Sequence, residues 1–370
     1  MSGYIRAAQV VLPCRDLDAT VAFFTDKLGF KVDLVLPADA PRMAVVSGHG
    51  LTLRLEVTPD GASDIGATSP LNLRLLCDMS ALPPGTPRQL VAPGGTRIEF
   101  VEAERPVELP EGKQDFVLVR LGGEEAWDLG RAGMQYRDLI PGRLGGRFVA
   151  SQIRIREGGP VPDYVHFHKI RFQMIYCMRG WVRLVYEDQG EPFVLNAGDC
   201  VLQPPEIRHR VLESSSGLEV IEIGCPAVHE TFADHVLALP TPEIRPQRRF
   251  GQQRFLRHIA ASAHWIPWKL PGFEVRETGI GAATEGLADA RVVRFANGRA
   301  AKGATGAHGG EFMFLFVLRG TLGLDGAELG RHRLQAGDCC VIPAGVPYAL
   351  AGEAGLEMLE VTLPADPPTN

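Results

Sequence analysis

The feature that most constrains the fold is a stretch written twice. The first copy, "HFHKIRFQMIYCMRGWVRLVY" followed after a hairpin by "FVLNAGDCVLQPPEIRHRV", corresponds to "HGGEFMFLFVLRGTLGLDG" followed by "HRLQAGDCCVIPAGVPYAL". When Arg179-Gly180 is aligned with Arg319-Gly320, and Ala197-Gly198-Asp199-Cys200 with Ala336-Gly337-Asp338-Cys339, the spacing between anchors is nearly the same. Short apolar runs divided by Gly and Pro, repeated in register, describe one β-barrel unit used twice. The two units occupy the chain from about residue 148, and the Pro- and Arg-rich "PTPEIRPQRRFGQQRF" reads as the linker between them.

Ahead of the repeat the pattern changes. "AAQVVLPC" is extended and apolar, and "RDLDATVAFFTDKLGF" follows with Asp16 or Asp18 as a natural N-cap. Val21, Phe24 and Leu28 recur at helical spacing, and Gly29 supplies the stop. "KVDLVLP", "RMAVVSG" and "LTLRLEV" then give three short strands, completing a βαβββ unit. Residues 70 to 122 supply further strands without a convincing helix. The irregular "GGEEAWDLGRAGMQYRDLIPGRLGG" reads as the connection to the barrels.

Composition narrows the partners. At 370 residues the chain is long enough for two or three domains. A formal charge of -6, with no long run of Lys or Arg, argues against nucleic acid and leaves small molecules as the expected partners. No apolar stretch approaches the length of a membrane span and the N-terminus lacks the pattern of a signal peptide, so the expected location is cytoplasmic. Seven cysteines, an odd number without framework spacing and partly within apolar strand patterns, read as buried reduced thiols.

The chemistry concentrates in the first copy. His166 and His168 stand two apart on a strand, so both imidazoles leave the same face. Gln173 comes after a short basic turn, and His209 lies on a further strand that barrel closure could bring alongside. Three neutral imidazoles and an amide oxygen are a coherent ligand set for Fe(II), Mn, Ni, Cu or Zn, with positions left for substrate or O2. Arg154, Arg171 and Tyr176 are candidate pocket residues, along with Tyr164 and Trp181. A guanidinium fork at 154 or 171 would suit a substrate carboxylate.

These residues resemble the cupin motifs, and the region from about 148 to 365 resembles a bicupin. His-x-His, four residues, Gln173, six residues and Gly180 follow the first motif, with Gln in place of Glu. Gly198, Pro204, Glu206 and His209 follow the second, with Glu206 in place of Gly. The resemblance implies metal ligation by His166, His168, Gln173 and His209, with one divalent ion, Fe(II) favoured. Gln173 removes a formal negative charge from the ligand shell, which favours an anionic or enolisable oxygen donor. In the second copy the same alignment places Gly306 and His308 on the histidine positions, Met313 on the Glu position and Tyr348 on the last His. His308, Glu311 and Tyr348 are a conceivable remnant of a site, and "FMFLFVL" reads as a strand buried on both faces.

The N-terminal unit resembles the first half of a vicinal-oxygen-chelate (glyoxalase/bleomycin-resistance) module, whose metal positions fall here on Gln9 and Glu56, with Glu99 as the one plausible acidic partner. The expected fold is thus mainly β: an α+β βαβββ module over 1–125, a first cupin (double-stranded β-helix, jelly-roll) over 126–240 that binds metal, and a degenerate second cupin over 241–370. The leading functional expectation is a non-heme Fe(II) dioxygenase acting on a small enol, dicarbonyl or aromatic substrate. The alternatives are a redox-neutral cupin isomerase or lyase acting on a sugar acid or related carbonyl compound, and a non-catalytic small-ligand-binding bicupin. Family analogy adds a homodimer.

Overall fold

The computed structural model describes residues 5–14, 16–27, 29–48, 50–57, 72–82, 84–91, 97–296 and 305–366. By contacts the chain divides into two units. One holds residues 1–108 with the segments 166–169 and 229–235, and the other holds 109–165, 170–228 and 236–370. No helix among the described residues is long and apolar enough to cross a membrane.

In the first unit Asp16 caps the helix Leu17–Ala22, its carboxylate accepting from the Ala19 N–H at 2.8 Å. The expected regular helix widens into one π turn over Phe23–Lys27. There the Thr25 hydroxyl donates to the Val21 carbonyl at 3.1 Å, and a hydroxyl bonded back into the ladder disturbs its pitch. Gly29 ends the helix at φ 72°, a left-handed conformation that costs glycine nothing. Leu28 lies outside the described residues.

The strands of this unit run in the order Gln89–Val91, Arg97–Glu102, Asn72–Cys77, Ile5–Cys14, Leu51–Val57, Met43–Gly48, Lys31–Leu36, Glu230–Ala233, His166–Lys169. Alternate residues Ala44, Val46, Leu53 and Leu55 turn to one face and pack with Leu17 of the helix. Asn72–Cys77 and Arg97–Glu102 pair in parallel, as Ile5–Cys14 and Leu51–Val57 do. Among the described residues a single 3-10 turn, Met79–Ala81, succeeds Asn72–Cys77 at the point where the first half has its helix.

The second unit contains the two barrels. In the first, a sheet ordered Leu256–His258, Cys200–Leu202, Phe172–Arg179, Leu218–Cys225, Val149–Ile155, Gln135–Asp138, Asp128–Leu129 faces strands Phe193–Asn196, Trp181–Tyr186 and His209–Ser214 across a core of Ile153, Cys177, Val182, Leu184, Leu195, Val201 and Val220. In the second, Ile266–Pro267, Phe273–Glu277, Asp289–Phe295, Glu357–Leu363, Phe312–Arg319, Cys339–Val341 and Val117–Val119 form one sheet. Thr305–Gly306, Tyr348–Gly352, Thr321–Gly326 and Gly330–Gln335 form the other. Gly180 and Gly320, the repeat anchors, both take φ 73°, and a Cβ on Gly320 would meet the backbone of Gly355 and Leu356 at 2.7 Å.

Each barrel gains an edge strand from outside its repeat. Leu256–His258 pairs with Cys200–Leu202, and Val117–Val119 with the equivalent Cys339–Val341. The buried aspartate of each Ala-Gly-Asp-Cys anchor fixes the join. Asp199 accepts from the N–H groups of Asn196 and Ala260, and Asp338 from those of Gln335 and Leu121, all at 2.8 to 3.0 Å.

Strand Phe312–Arg319 is buried on both faces, and the neighbour that covers it is the first barrel. Phe312, Phe314 and Phe316 share a core with Phe148, Phe172, Met174 and Tyr176, and Phe148 stacks on Phe312 at 4.1 Å between ring centroids. Met313, Leu315 and Val317 point into the second barrel. All seven cysteines are buried thiols, and burial pushes the Cys177 and Cys340 pKa values up to about 12, which makes them poor thiolate ligands.

Candidate metal centre

Strand alternation puts His166 and His168 on one face of His166–Lys169, as their burial pattern shows, and His209 heads strand His209–Ser214. The three side chains are buried, and each offers a ring nitrogen, all within 4.8 Å of one another. Among the described residues this is the one group of three or more His, Cys, Asp or Glu side chains so placed.

The protonation of His209 suits a cation. His209 Nδ1 donates to the Ile207 carbonyl at 3.0 Å, which leaves Nε2 as the lone-pair nitrogen. Burial lowers the His209 pKa to about 4, so the ring is neutral at physiological pH. His168 Nδ1 lies 2.9 Å from the Thr231 hydroxyl, the kind of contact that orients a ligating imidazole. His229, edge-on to His168 with 5.3 Å between centroids, had no spacing signal to reveal it.

Gln173 is 2% exposed on strand Phe172–Arg179, on the face that carries Ile175 and Cys177 toward the barrel interior. Its amide nitrogen donates to the Glu222 carboxylate at 2.5 Å. That bond fixes the amide's orientation and leaves Oε1 as the atom able to face a cation. The carboxyl group missing from residue 173 therefore stands one hydrogen bond further out. Glu222 lies 49 residues away in sequence, in register with Ile175, and only barrel closure supplies it. Tyr186 completes this end of the interior: its ring stacks on His209 at 5.5 Å between centroids, and its buried hydroxyl has no hydrogen-bond partner among the described residues.

Comparison with known proteins gives the fold a name. The family model for the Glyoxalase/Bleomycin resistance protein/Dioxygenase superfamily matches residues 6–78. No curated protein matches the chain. Among solved structures, salicylate 1,2-dioxygenase from Pseudaminobacter salicylatoxidans aligns with TM-score 0.50 at 16% identity, over 70% of this chain and 86% of that one. The fold is a bicupin with a glyoxalase-like N-terminal module. A variant of Bacillus subtilis oxalate decarboxylase OxdC aligns at 12% identity and TM-score 0.48 over 72% of the bicupin chain and 80% of its own. Ylba from E. coli aligns at 12% and 0.46, over 70% and 94%.

The remaining residues singled out in the bicupin sequence are engaged elsewhere. Arg154 bonds Gln135 and Glu124 and lies over Trp127 at 4.0 Å. Arg171 is paired with Glu311 at 2.6 Å, and Arg147 holds the same carboxylate at 2.7 Å. These two guanidiniums hold the Glu311 carboxyl below the usual range, against the upward push of burial. Tyr176 stands on the face opposite Gln173, in the core between the barrels, because an even offset along a strand is needed to share a face. Tyr164 lies beside the Arg131 guanidinium, 5.7 Å from its ring centroid.

In the second barrel His308 Nε2 donates to the Ile342 carbonyl at 2.7 Å and Nδ1 accepts from the Gly310 N–H at 3.2 Å, so the backbone uses both ring nitrogens. Tyr348 packs in that barrel's apolar core. In the N-terminal module Gln9 lies across from Arg74, whose guanidinium is 2.8 Å from Glu99. Glu56 is ion-paired with Arg54 and in register with Pro13, about 13 Å along the strand from Gln9. Glu206, standing for the motif glycine, is exposed and takes φ 63°.

Proposed function

We propose that this bicupin is a metal-dependent enzyme whose chemistry resides in the first barrel, and that it is a non-heme Fe(II) dioxygenase of a small enol, dicarbonyl or aromatic substrate. The observation that carries the reading is the cluster of three buried histidines, with a neutral His209 ring presenting a lone pair at Nε2. His166, His168, His209 and Gln173 would hold the ion. A divalent ion on such ligands acts as a Lewis acid toward an oxygen donor and, when it is iron, adds the capacity for O2 chemistry.

The chain's own groups support an anionic substrate. The Gln173 amide keeps the ligand set neutral, so an anionic oxygen donor would balance the charge of a bound cation. The Glu222 carboxyl, held by the Gln173 amide, would take a proton from an enolisable substrate. The apolar side chains Ile175, Val201 and Val220 pack together in the core of this barrel and would limit the access of water to the substrate. Salicylate 1,2-dioxygenase acts, by its name, on a hydroxylated aromatic acid, and that class belongs to the proposal.

Glu222 also favours a second reading, a redox-neutral isomerase or lyase with Zn, Ni or Mn, because proton transfer from a polarised carbonyl compound needs a base and no oxygen. Oxygen-electrode measurements decide between them. Protein loaded anaerobically with Fe(II) should consume O2 on addition of a β-diketone such as pentane-2,4-dione or of a hydroxylated aromatic acid. Turnover of a sugar acid by the Zn(II) or Ni(II) form without O2 would establish the second reading instead. Binding of these compounds with no turnover under either regime would leave a ligand-binding protein.

A further inference from the structure

Gln203 comes directly after strand Cys200–Leu202, and its side chain is 1% exposed. Its amide nitrogen lies 2.8 Å from His209 Nε2. Since His209 Nδ1 donates to a carbonyl, Nε2 is an acceptor and the amide is the donor. Gln203 Oε1 is buried with no hydrogen-bond partner among the described residues. The one side-chain hydrogen bond of this amide among those residues thus stands on the lone pair through which His209 would hold a cation.

The two arrangements exclude each other. A cation on Nε2 removes the acceptor, and the amide is then left buried with both its nitrogen and its oxygen unpaired, a state that proteins seldom tolerate. The turn itself does not require an amide here. The second repeat carries Ile342 at the same position, and the backbone N–H bonds the equivalent carbonyl in both: Gln203 to Gln173 at 2.9 Å, Ile342 to Met313 at 3.0 Å. Polarity at this position accompanies the ligand set and is absent where the ligand set is absent.

We infer that Gln203 is the residue that reads the bound substrate. With the cation in place its N–H donates to an oxygen of the anion beside His209, and its Oε1 accepts from an O–H or N–H on the same molecule. The ligand class is a small oxygen anion with an adjacent hydrogen-bond donor: a 2-hydroxy acid, an enol or a hydroxamate. The inference rests on the metal-dependent reading above.

Co(II) is a suitable probe, because its visible absorption reports both its own binding and that of an added anion such as acetohydroxamate. The full chain and its Gln203→Ile, Gln203→Glu and His209→Ala variants are titrated with Co(II) and then with acetohydroxamate. Melting curves establish which variants fold, and Gln203→Glu decides the matter if Gln203→Ile does not. Gln203→Ile should keep Co(II) affinity within about threefold and lose acetohydroxamate affinity by about tenfold or more. Gln203→Glu should hold Co(II) at least as tightly and lose acetohydroxamate by a larger factor, since a carboxylate repels the anion. Unchanged acetohydroxamate affinity in either variant overturns the inference. So does loss of Co(II) by more than about tenfold in Gln203→Ile, which would make Gln203 a metal ligand. If the unaltered chain takes up no Co(II), or His209→Ala takes up as much, the metal-dependent reading fails first and the inference fails with it.

Discussion

At equivalent places in the two barrels stand Gln173 and Met313, Gln203 and Ile342, His209 and Tyr348, and the long central strands of the two pair in the same way. Both long central strands carry the same irregularity before the anchor arginine, Cys177/Arg179 in one and Val317/Arg319 in the other. The backbone is therefore indifferent to the side chains that fill the barrel. One interior presents imidazoles, amides and a carboxylate, and the other is closed by Met313, Leu315, Leu350 and Tyr348. Glu360 shows what the second interior lacks. It stands opposite Leu315 as Glu222 stands opposite Ile175, but Met313 offers it no donor. It is 2% exposed, one carboxylate oxygen has no hydrogen-bond partner among the described residues, and Lys269 is 3.7 Å from the other. Burial pushes its pKa up.

The largest test of this contrast is metal content by elemental analysis. His209→Ala should lose stoichiometric metal, whereas His308→Ala should leave it unchanged because the backbone occupies both His308 nitrogens. Equal losses would erase the distinction between the barrels. Next comes the core the barrels share: Phe314→Ala, at a fully buried position, should cost about 3–5 kcal/mol in urea denaturation. A cost below about 1 kcal/mol would mean that the barrels do not depend on this packing.

Gln173→Glu restores the motif carboxylate but sets it against Glu222, where the amide now lies at 2.5 Å. Two carboxylates that close cannot both ionise, so one pKa rises in the folded state. A raised carboxyl pKa means that the folded protein binds the extra proton, so stability is present at low pH and lost as pH rises. The metal-free variant should be about 1–3 kcal/mol less stable than the parent at neutral pH and close to it below about pH 4. A pH-independent difference would place Glu222 away from residue 173.

The same sign applies to Glu360. Its folded pKa is raised, so its contribution falls as pH rises above the ordinary glutamate range. Glu360→Gln should flatten that part of the stability profile and add about 1 kcal/mol at neutral pH. The smallest effect belongs to Glu206. Relief of its left-handed backbone in Glu206→Gly should stabilise the chain by about 1 kcal/mol, read as a shift in the urea midpoint.

Much of the molecule was legible in the chain itself. The repeat and its anchors announced two like barrels. The His-x-His spacing put His166 and His168 on one face, and the doubly apolar "FMFLFVL" announced a strand covered on both sides. These properties are local, set by strand alternation and turn chemistry, so a short window of residues contains them. Tertiary structure decided the rest. Glu222 and Gln203 join the site only when the sheet closes, Arg154 and Arg171 find carboxylates at 124 and 311, and Tyr176 turns into the core between the barrels. The exchanged edge strands, Val117–Val119 and Leu256–His258, belong to barrels their sequence neighbours do not announce. The physical reason is that alternation fixes which residues share a face, whereas sheet closure and packing select the face turned inward and the partners that meet it there.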